Sequence, residues 1–147
     1  MNDVIDLTYG AKIEPDGDGF LVTFRDVRNA FTGGETLEEA IFNAQEVLDL
    51  MLLDSLEKDE EIPMPSAFKN GEIAIAASPE VAAPVLLHIM RTLNHRTMAE
   101  VARTMGVSYQ SYQRMESGKN LTMKSFKKAA SALGSTVEIR LRKLHAL

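Results

Sequence analysis

The side chains that most often carry chemistry are few and scattered in this chain. There are no cysteines, so thiolate catalysis, disulfide frameworks and Cys-based zinc sites are excluded. The three histidines, His88, His95 and His145, fall on different elements, with no pair three or four residues apart. No histidine metal pair follows from that spacing. Asp16-Gly17-Asp18-Gly19 begins like a calcium loop, but the later ligands and the terminal Glu of such a loop are missing. Asp beside Gly is explained by turn chemistry, since Asp bonds its own backbone and Gly takes positive φ freely. The eight methionines fall mostly on helical apolar faces and read as core filler. No catalytic residue, metal or cofactor is expected.

Charge is more informative. The 147-residue chain carries a net −5, but residues 1–77 hold 5 Lys+Arg against 17 Asp+Glu, a net of −12. Residues 78–147 hold 11 against 4, a net of +7. This asymmetry points to two modules with different partners, 1–77 and 78–147. The basic half favours nucleic acid, and the acidic half a basic protein. Hydrophobic residues at 45% and charged residues at 25% describe a globular chain. No apolar run is long enough to span a bilayer and no signal peptide is visible, so a cytoplasmic protein without membrane attachment is expected.

The elements that position these charges can be read from periodicity. Leu7–Ile13 alternates at Leu7, Tyr9, Ala11 and Ile13, and Phe20–Phe24 alternates at Phe20, Val22 and Phe24. With the Asp16–Gly19 turn between them they make a β-hairpin. Ala30-Phe31-Thr32 is a short third strand, stopped by Gly33-Gly34. Thr36, with Glu39 three residues on, forms a capping box for a long helix. Its apolar face is Leu37, Ala40, Ile41, Ala44, Val47, Leu48, Met51 and Leu52, and it ends near Leu56. Ile62-Pro63-Met64-Pro65-Ser66 must be extended, because each Pro biases its predecessor away from helix. Ile73-Ala74-Ile75 is the last strand of this half.

Ser78-Pro79 is a helix start, Ser as N-cap and Pro in the first turn, although Pro84 raises the alternative of a start nearer to it. Short helices follow over about Thr97–Met105 and Tyr109–Glu116. Thr122 caps another, which Gly134 stops. Thr136–Arg142 alternates Val137, Ile139 and Leu141 with charged residues and reads as a strand.

Between Thr97 and Lys119 each position suits two short helices crossing steeply. Thr97 and Ser108 cap them, Ala102 permits close approach, Gly106 makes the turn, Val107 fills the angle, and Val101, Met105, Tyr112 and Met115 face inward. Over Thr97–Gly134 the chain resembles the helix-turn-helix of phage-repressor-like (Xre-type) transcription factors. The resemblance implies that Tyr109–Glu116 enters the major groove, with Tyr109, Gln110 and Arg114 at base-reading positions. Gln pairs with adenine and Arg with guanine, each through two hydrogen bonds. The DNA-facing set it implies is Thr97, Ser108, Tyr109, Gln110, Ser111, Gln113, Arg114, Lys119 and Asn120, with Thr97, Ser111, Lys119 and Asn120 on phosphates. One departure is Met98, where that family usually has a backbone-contacting Gln.

The first half carries a second resemblance. Gly19–Val27, then Phe31-Thr32-Gly33-Gly34-Glu35-Thr36-Leu37-Glu38-Glu39-Ala40, then Asn43–Leu48 and Ile62-Pro63-Met64-Pro65-Ser66, are very similar to HicB antitoxins over about residues 7–77. Members of that family commonly carry a DNA-binding module behind this one. The implied fold is α+β: a partial ribonuclease-H-like β-β-β-α-β domain at 1–77, then an all-α helix-turn-helix domain with a C-terminal strand at 78–147. The implied partners are a small basic HicA-type ribonuclease toxin, which cleaves messenger RNA, and operator DNA. Asp16, Asp18, Glu57, Asp59, Glu60 and Glu61 are the charge-based candidates for toxin contact. Two DNA-reading modules on a palindrome imply a homodimer or homotetramer.

Fold kinship with ribonuclease H raises an enzyme reading, in which Asp16, Asp18 and Asp26 would hold divalent ions. Kinship alone does not license the activity, and turn chemistry explains Asp16 and Asp18. The competing class is a stand-alone repressor whose first half senses a ligand or another protein.

Overall fold

A computed structural model describes residues 4–143 of the chain. They form two compact units, dividing between Pro79 and Glu80.

In the first unit, β1 (Thr8–Asp16), β2 (Gly19–Phe24), β3 (Phe31–Gly34) and β4 (Ile73–Ala76) make one antiparallel sheet in the order β3-β2-β1-β4. The β1–β2 register pairs Ala11 with Phe24 and Ile13 with Val22. Those residues therefore share a face, which buries Tyr9, Ala11, Val22, Phe24 and Ile75. Helix α1 (Leu37–Glu57) lies on that face with Ala40, Ala44, Leu48 and Leu52 wholly buried. The β-β-β-α-β order is the one the resemblance implied.

Two details differ from the sequence expectation. Gly33 and Gly34 do not stop β3 but belong to it, paired with Leu21 and Phe20. Their lack of side chains is what the packing requires: a Cβ on Gly34 would lie 2.5 Å from Ala40 N and 2.9 Å from Ala40 Cα. The capping box at α1 is only half formed. Thr36 accepts the Glu39 N–H at 3.1 Å, but the Glu39 carboxylate accepts from Glu35 N–H rather than from Thr36.

The segment after α1 is tied down across the sheet. The Tyr9 hydroxyl donates to Pro63 O at 2.6 Å. Asp26 accepts both the N–H and the hydroxyl of Ser66 at 2.8 and 2.9 Å. Arg25 grips Glu72 through Nε and Nη2, each at 3.0 Å, and also bonds Ser66 Oγ and Ala67 O. The hydrogen bond from Arg25, with that from the Lys69 N–H, holds the Glu72 carboxyl at about 2.

In the second unit, α2 (Pro79–Leu93), α3 (Met98–Met105), α4 (Tyr109–Glu116) and α5 (Met123–Ala132) surround Leu87, Val101, Ala102, Tyr112, Ala129 and Leu133. Helix α2 begins at Pro79, and Pro84 sits inside it, buried, at the cost of the hydrogen bond to the Glu80 carbonyl. Ser78 was expected to cap α2. Its hydroxyl instead donates to Asp49 of α1 at 2.6 Å, and its N–H to the same carboxylate at 2.9 Å.

The expected strand over Thr136–Arg142 does not form. The backbone there has no ladder partner among the described residues, and Ile139 and Leu141 stand exposed. An alternating pattern becomes a strand only when another strand completes its hydrogen bonds. His145 lies outside the described residues.

Candidate nucleic-acid interface

The second unit builds a presenting surface from its caps upward. Thr97 and Glu100 form a full capping box at α3: Glu100 N–H to Thr97 Oγ1 at 3.1 Å, and Thr97 N–H to Glu100 Oε1 at 2.9 Å. Accepting that backbone N–H holds the Glu100 carboxyl below its usual range. Gly106 ends α3 at φ 72, a left-handed conformation that favours glycine. Ser108 then starts α4, accepting the Ser111 N–H at 3.1 Å and donating to Ser111 Oγ at 3.0 Å. Two helices joined by so short a turn are the helix-turn-helix geometry.

Helix α4 is held from beneath. Tyr112 is wholly buried and Glu116 is 3% exposed. Glu116 receives Arg91 Nε on Oε2 and Arg91 Nη2 on Oε1, each at 2.8 Å, while His88 Nδ1 stands 3.0 Å from Oε1. Burial pushes this carboxyl up, but the hydrogen bonds from His88 and Arg91 overcome it and hold it at about 2. The Tyr112 hydroxyl is buried beside this cluster without a hydrogen bond of standard geometry. Burial, then the Glu116 charge, raise the phenol and keep it protonated. Arg96 performs a second internal task, bonding Ala132 O at 2.8 Å, Glu100 O at 3.2 Å and Thr104 Oγ1 at 2.6 Å. It thereby covers a carbonyl at the end of α5.

With Tyr112 and Glu116 turned in, the residues of α4 left facing out are Tyr109, Gln110, Ser111, Gln113 and Arg114. Lys119 and Asn120 follow in the exposed loop, where Asn120 has φ 55. Thr97 and Ser108 are also exposed, and their oxygens accept backbone N–H groups, but the Ser108 hydroxyl already donates to Ser111 Oγ, whereas the Thr97 hydroxyl keeps a donor to offer. The structure thus brings the sequence-derived set onto α4, its preceding turn and its following loop, apart from Thr97, which stands at the start of α3. Of the four acids in residues 78–147, Glu116 is neutralised internally and Glu100 is committed to its cap. The exposed charge near α4 is then carried by Arg103, Arg114, Lys119 and Lys124.

Sequence reading missed Glu116. The available signal was its position four residues after Tyr112, which places both on one helix face.

The acidic candidates of the first unit are not brought together. Asp16 and Asp18 lie at the β1–β2 turn, beside the start of α1, because Phe20 pairs with Gly34 and Gly34 leads into the helix. Glu57, Asp59, Glu60 and Glu61 lie at and beyond its other end. A 21-residue helix separates the two groups, about 30 Å of rise. Asp26, considered above as an ion ligand, is bound to Ser66 and lies 3.1 Å from Arg25 Nη1. Among the described residues no group of three His, Asp or Glu is placed to hold a metal ion, and no helix is long and apolar enough to cross a membrane.

Comparison with known proteins agrees with this arrangement. The family described as "HicB_like antitoxin of bacterial toxin-antitoxin system" matches residues 8–86, and one described as "Helix-turn-helix" matches 87–139. The chain belongs to the HicB-like antitoxin family and carries a helix-turn-helix DNA-binding domain. It is 35% identical to Antitoxin HicB 2 of Photorhabdus laumondii over 90% of this chain and 95% of that one. It is 32% identical to Antitoxin HicB of Escherichia coli K12 over 85% and 91%, and 29% identical to Antitoxin HicB 1 of Photorhabdus laumondii over 92% and 87%. Membership places the chain among antitoxins and not among enzymes.

Proposed function

We propose that the chain neutralises a HicA-type messenger-RNA-cleaving toxin through residues 1–77 and represses its own operon through residues 78–147. Support for the first role comes from the net −12 of residues 1–77 joined to family membership. Opposite charge speeds encounter with a basic toxin, and apolar contact then holds the complex. Inhibition is steric: a protein seated over the toxin's active site keeps RNA out and presents carboxylates where phosphates would lie.

The observation that carries the second role is the outward face of α4. Gln110 and Arg114 are four residues apart on one exposed face, above a base locked by Glu116. In this reading Tyr109, Gln110 and Arg114 meet base edges, Thr97, Ser111, Lys119 and Asn120 bond phosphates, and Ser108 and Gln113 lie within the same DNA-facing surface. The chain acts as a homodimer or homotetramer in the cytoplasm, where both partners occur. A palindromic operator requires two reading helices about 34 Å apart or a multiple of it. The exposed alternating segment at 136–142 supports self-association, since an alternating apolar row with no strand beside it among the described residues invites one.

Two assays on the purified full chain test the proposal: binding to the DNA upstream of its gene, and rescue of cells from the toxin encoded beside it. Binding and rescue support both roles. DNA binding without rescue favours a stand-alone repressor, and the absence of both binding and rescue rejects the proposal.

A further inference from the structure

Helix α1 has a second apolar stripe, on the side away from the sheet. Phe42 is 62% exposed, Leu50 65% and Leu53 37%. Glu39, Glu46 and Glu57 are exposed as well. These six positions, 39, 42, 46, 50, 53 and 57, are spaced three and four apart. At 3.6 residues per turn they fall within an arc of about 80°, opposite the buried Ala40, Ala44, Leu48 and Leu52. The stripe is about 27 Å long and contains no cation, nor does any other position of α1.

Core packing does not account for it. A helix lying on one sheet needs a single apolar face, and α1 already has one. Scattered exposed leucines are ordinary, but an ordered row of Phe and Leu between glutamates is a contact surface in form. We infer that this stripe of α1 is the docking surface for a cationic protein bearing an apolar groove, and that in the proposed function this protein is the toxin. Phe42, Leu50 and Leu53 enter the groove as a helix-in-groove anchor set. Glu39, Glu46 and Glu57 meet lysines and arginines on its rim and set the orientation.

The charge pattern separates this occupant from the others. A second copy of the chain would bring its own Glu39, Glu46 and Glu57 against the same residues in a two-fold contact, which like charge opposes. Nucleic acid is repelled outright. Another exposed apolar site of this unit, a hollow lined by Leu21, Thr23, Val27, Arg28 and Phe31, has a cation in its wall. Glu57 is shared with the charge-based candidates, whereas Asp16 and Asp18 lie off the stripe.

The inference rests on the toxin-binding reading, and the test separates the two. Full-length wild type and Phe42→Ser/Leu50→Ser are titrated calorimetrically with the toxin from the adjacent gene. The double variant should bind about thirtyfold more weakly or worse, as loss of central anchors does. Its thermal melting should be unchanged, because both positions are exposed, and its DNA binding should be intact. Glu39→Lys/Glu46→Lys/Glu57→Lys, a variant with no apolar loss, should slow association and weaken its salt dependence. If wild type binds while the double variant stays within about threefold of it, the inference falls and the toxin-binding reading stands. If wild type does not bind at all, both fall. If the double variant loses self-association and keeps the toxin, the stripe is a contact between copies and the inference is overturned.

Discussion

Arg91 Nη2 and Glu116 Oε1 lie 2.8 Å apart in the interior of the helical unit, so α2 holds the end of the helix that carries Gln110 and Arg114. A buried charge with its partner removed is costly, because no water replaces the lost hydrogen bonds. Glu116→Ala is therefore expected to destabilise the second unit by about 3 kcal/mol or more. It should also weaken DNA binding without touching any DNA-facing side chain. Chemical denaturation and a DNA titration of the same variant check both effects.

Acid should act through the same group. The folded Glu116 carboxyl is held at about 2, below the ordinary 4.5. A carboxyl lowered on folding stabilises fully above its unfolded value, and the contribution is lost as pH falls from 4.5 toward 2. Glu116→Gln has no such titration. Melting temperatures of wild type and variant should differ most near neutrality and converge below pH 4.5. A difference constant with pH would contradict this origin.

Gly34 is a packing requirement at the β3–α1 junction. The Cβ of an alanine there would meet the Ala40 backbone, which cannot swing aside. Gly34→Ala should destabilise the first unit by about 2 kcal/mol and leave DNA binding unaltered. Hydrogen exchange resolved by segment would show the loss in β3 and the start of α1.

Asp26 should behave as a brace and not as an ion ligand. Asp26→Ala removes both hydrogen bonds to Ser66 and is expected to cost about 1–3 kcal/mol. Proteolysis after residue 62 should speed up in this variant. Added Mg²⁺ should produce no RNA cleavage by wild type or variant, and Mg²⁺-dependent cleavage by wild type would revive the enzyme reading.

Much of the architecture is visible in residue order, because local rules govern it. The β1–β2 hairpin follows from alternation around Asp16–Gly19, and α3 and α4 from Thr97, Gly106 and Ser108, each doing in the structure what its type favours. What depends on distant partners is not visible in this way. Glu116 is buried only because His88 and Arg91, 28 and 25 residues earlier, converge on it. Ser78 leaves its cap because Asp49 of α1 is near. Gly33 and Gly34 look like a stop until α1 is seen packed against them. The segment at 136–142 has a strand's alternation but no strand beside it among the described residues. The outer stripe of α1 escapes notice because the inner face already satisfies the helical period.

The proposed separation of tasks is tested most directly by one variant, Gln110→Ala/Arg114→Ala, measured against both partners. Loss of two bidentate base contacts should weaken binding to the upstream DNA by about a hundredfold. Affinity for the toxin should stay unchanged, because no residue of the first unit is altered. Equal loss of both affinities, or full retention of DNA binding, would contradict a chain that grips DNA with α4 and its toxin elsewhere.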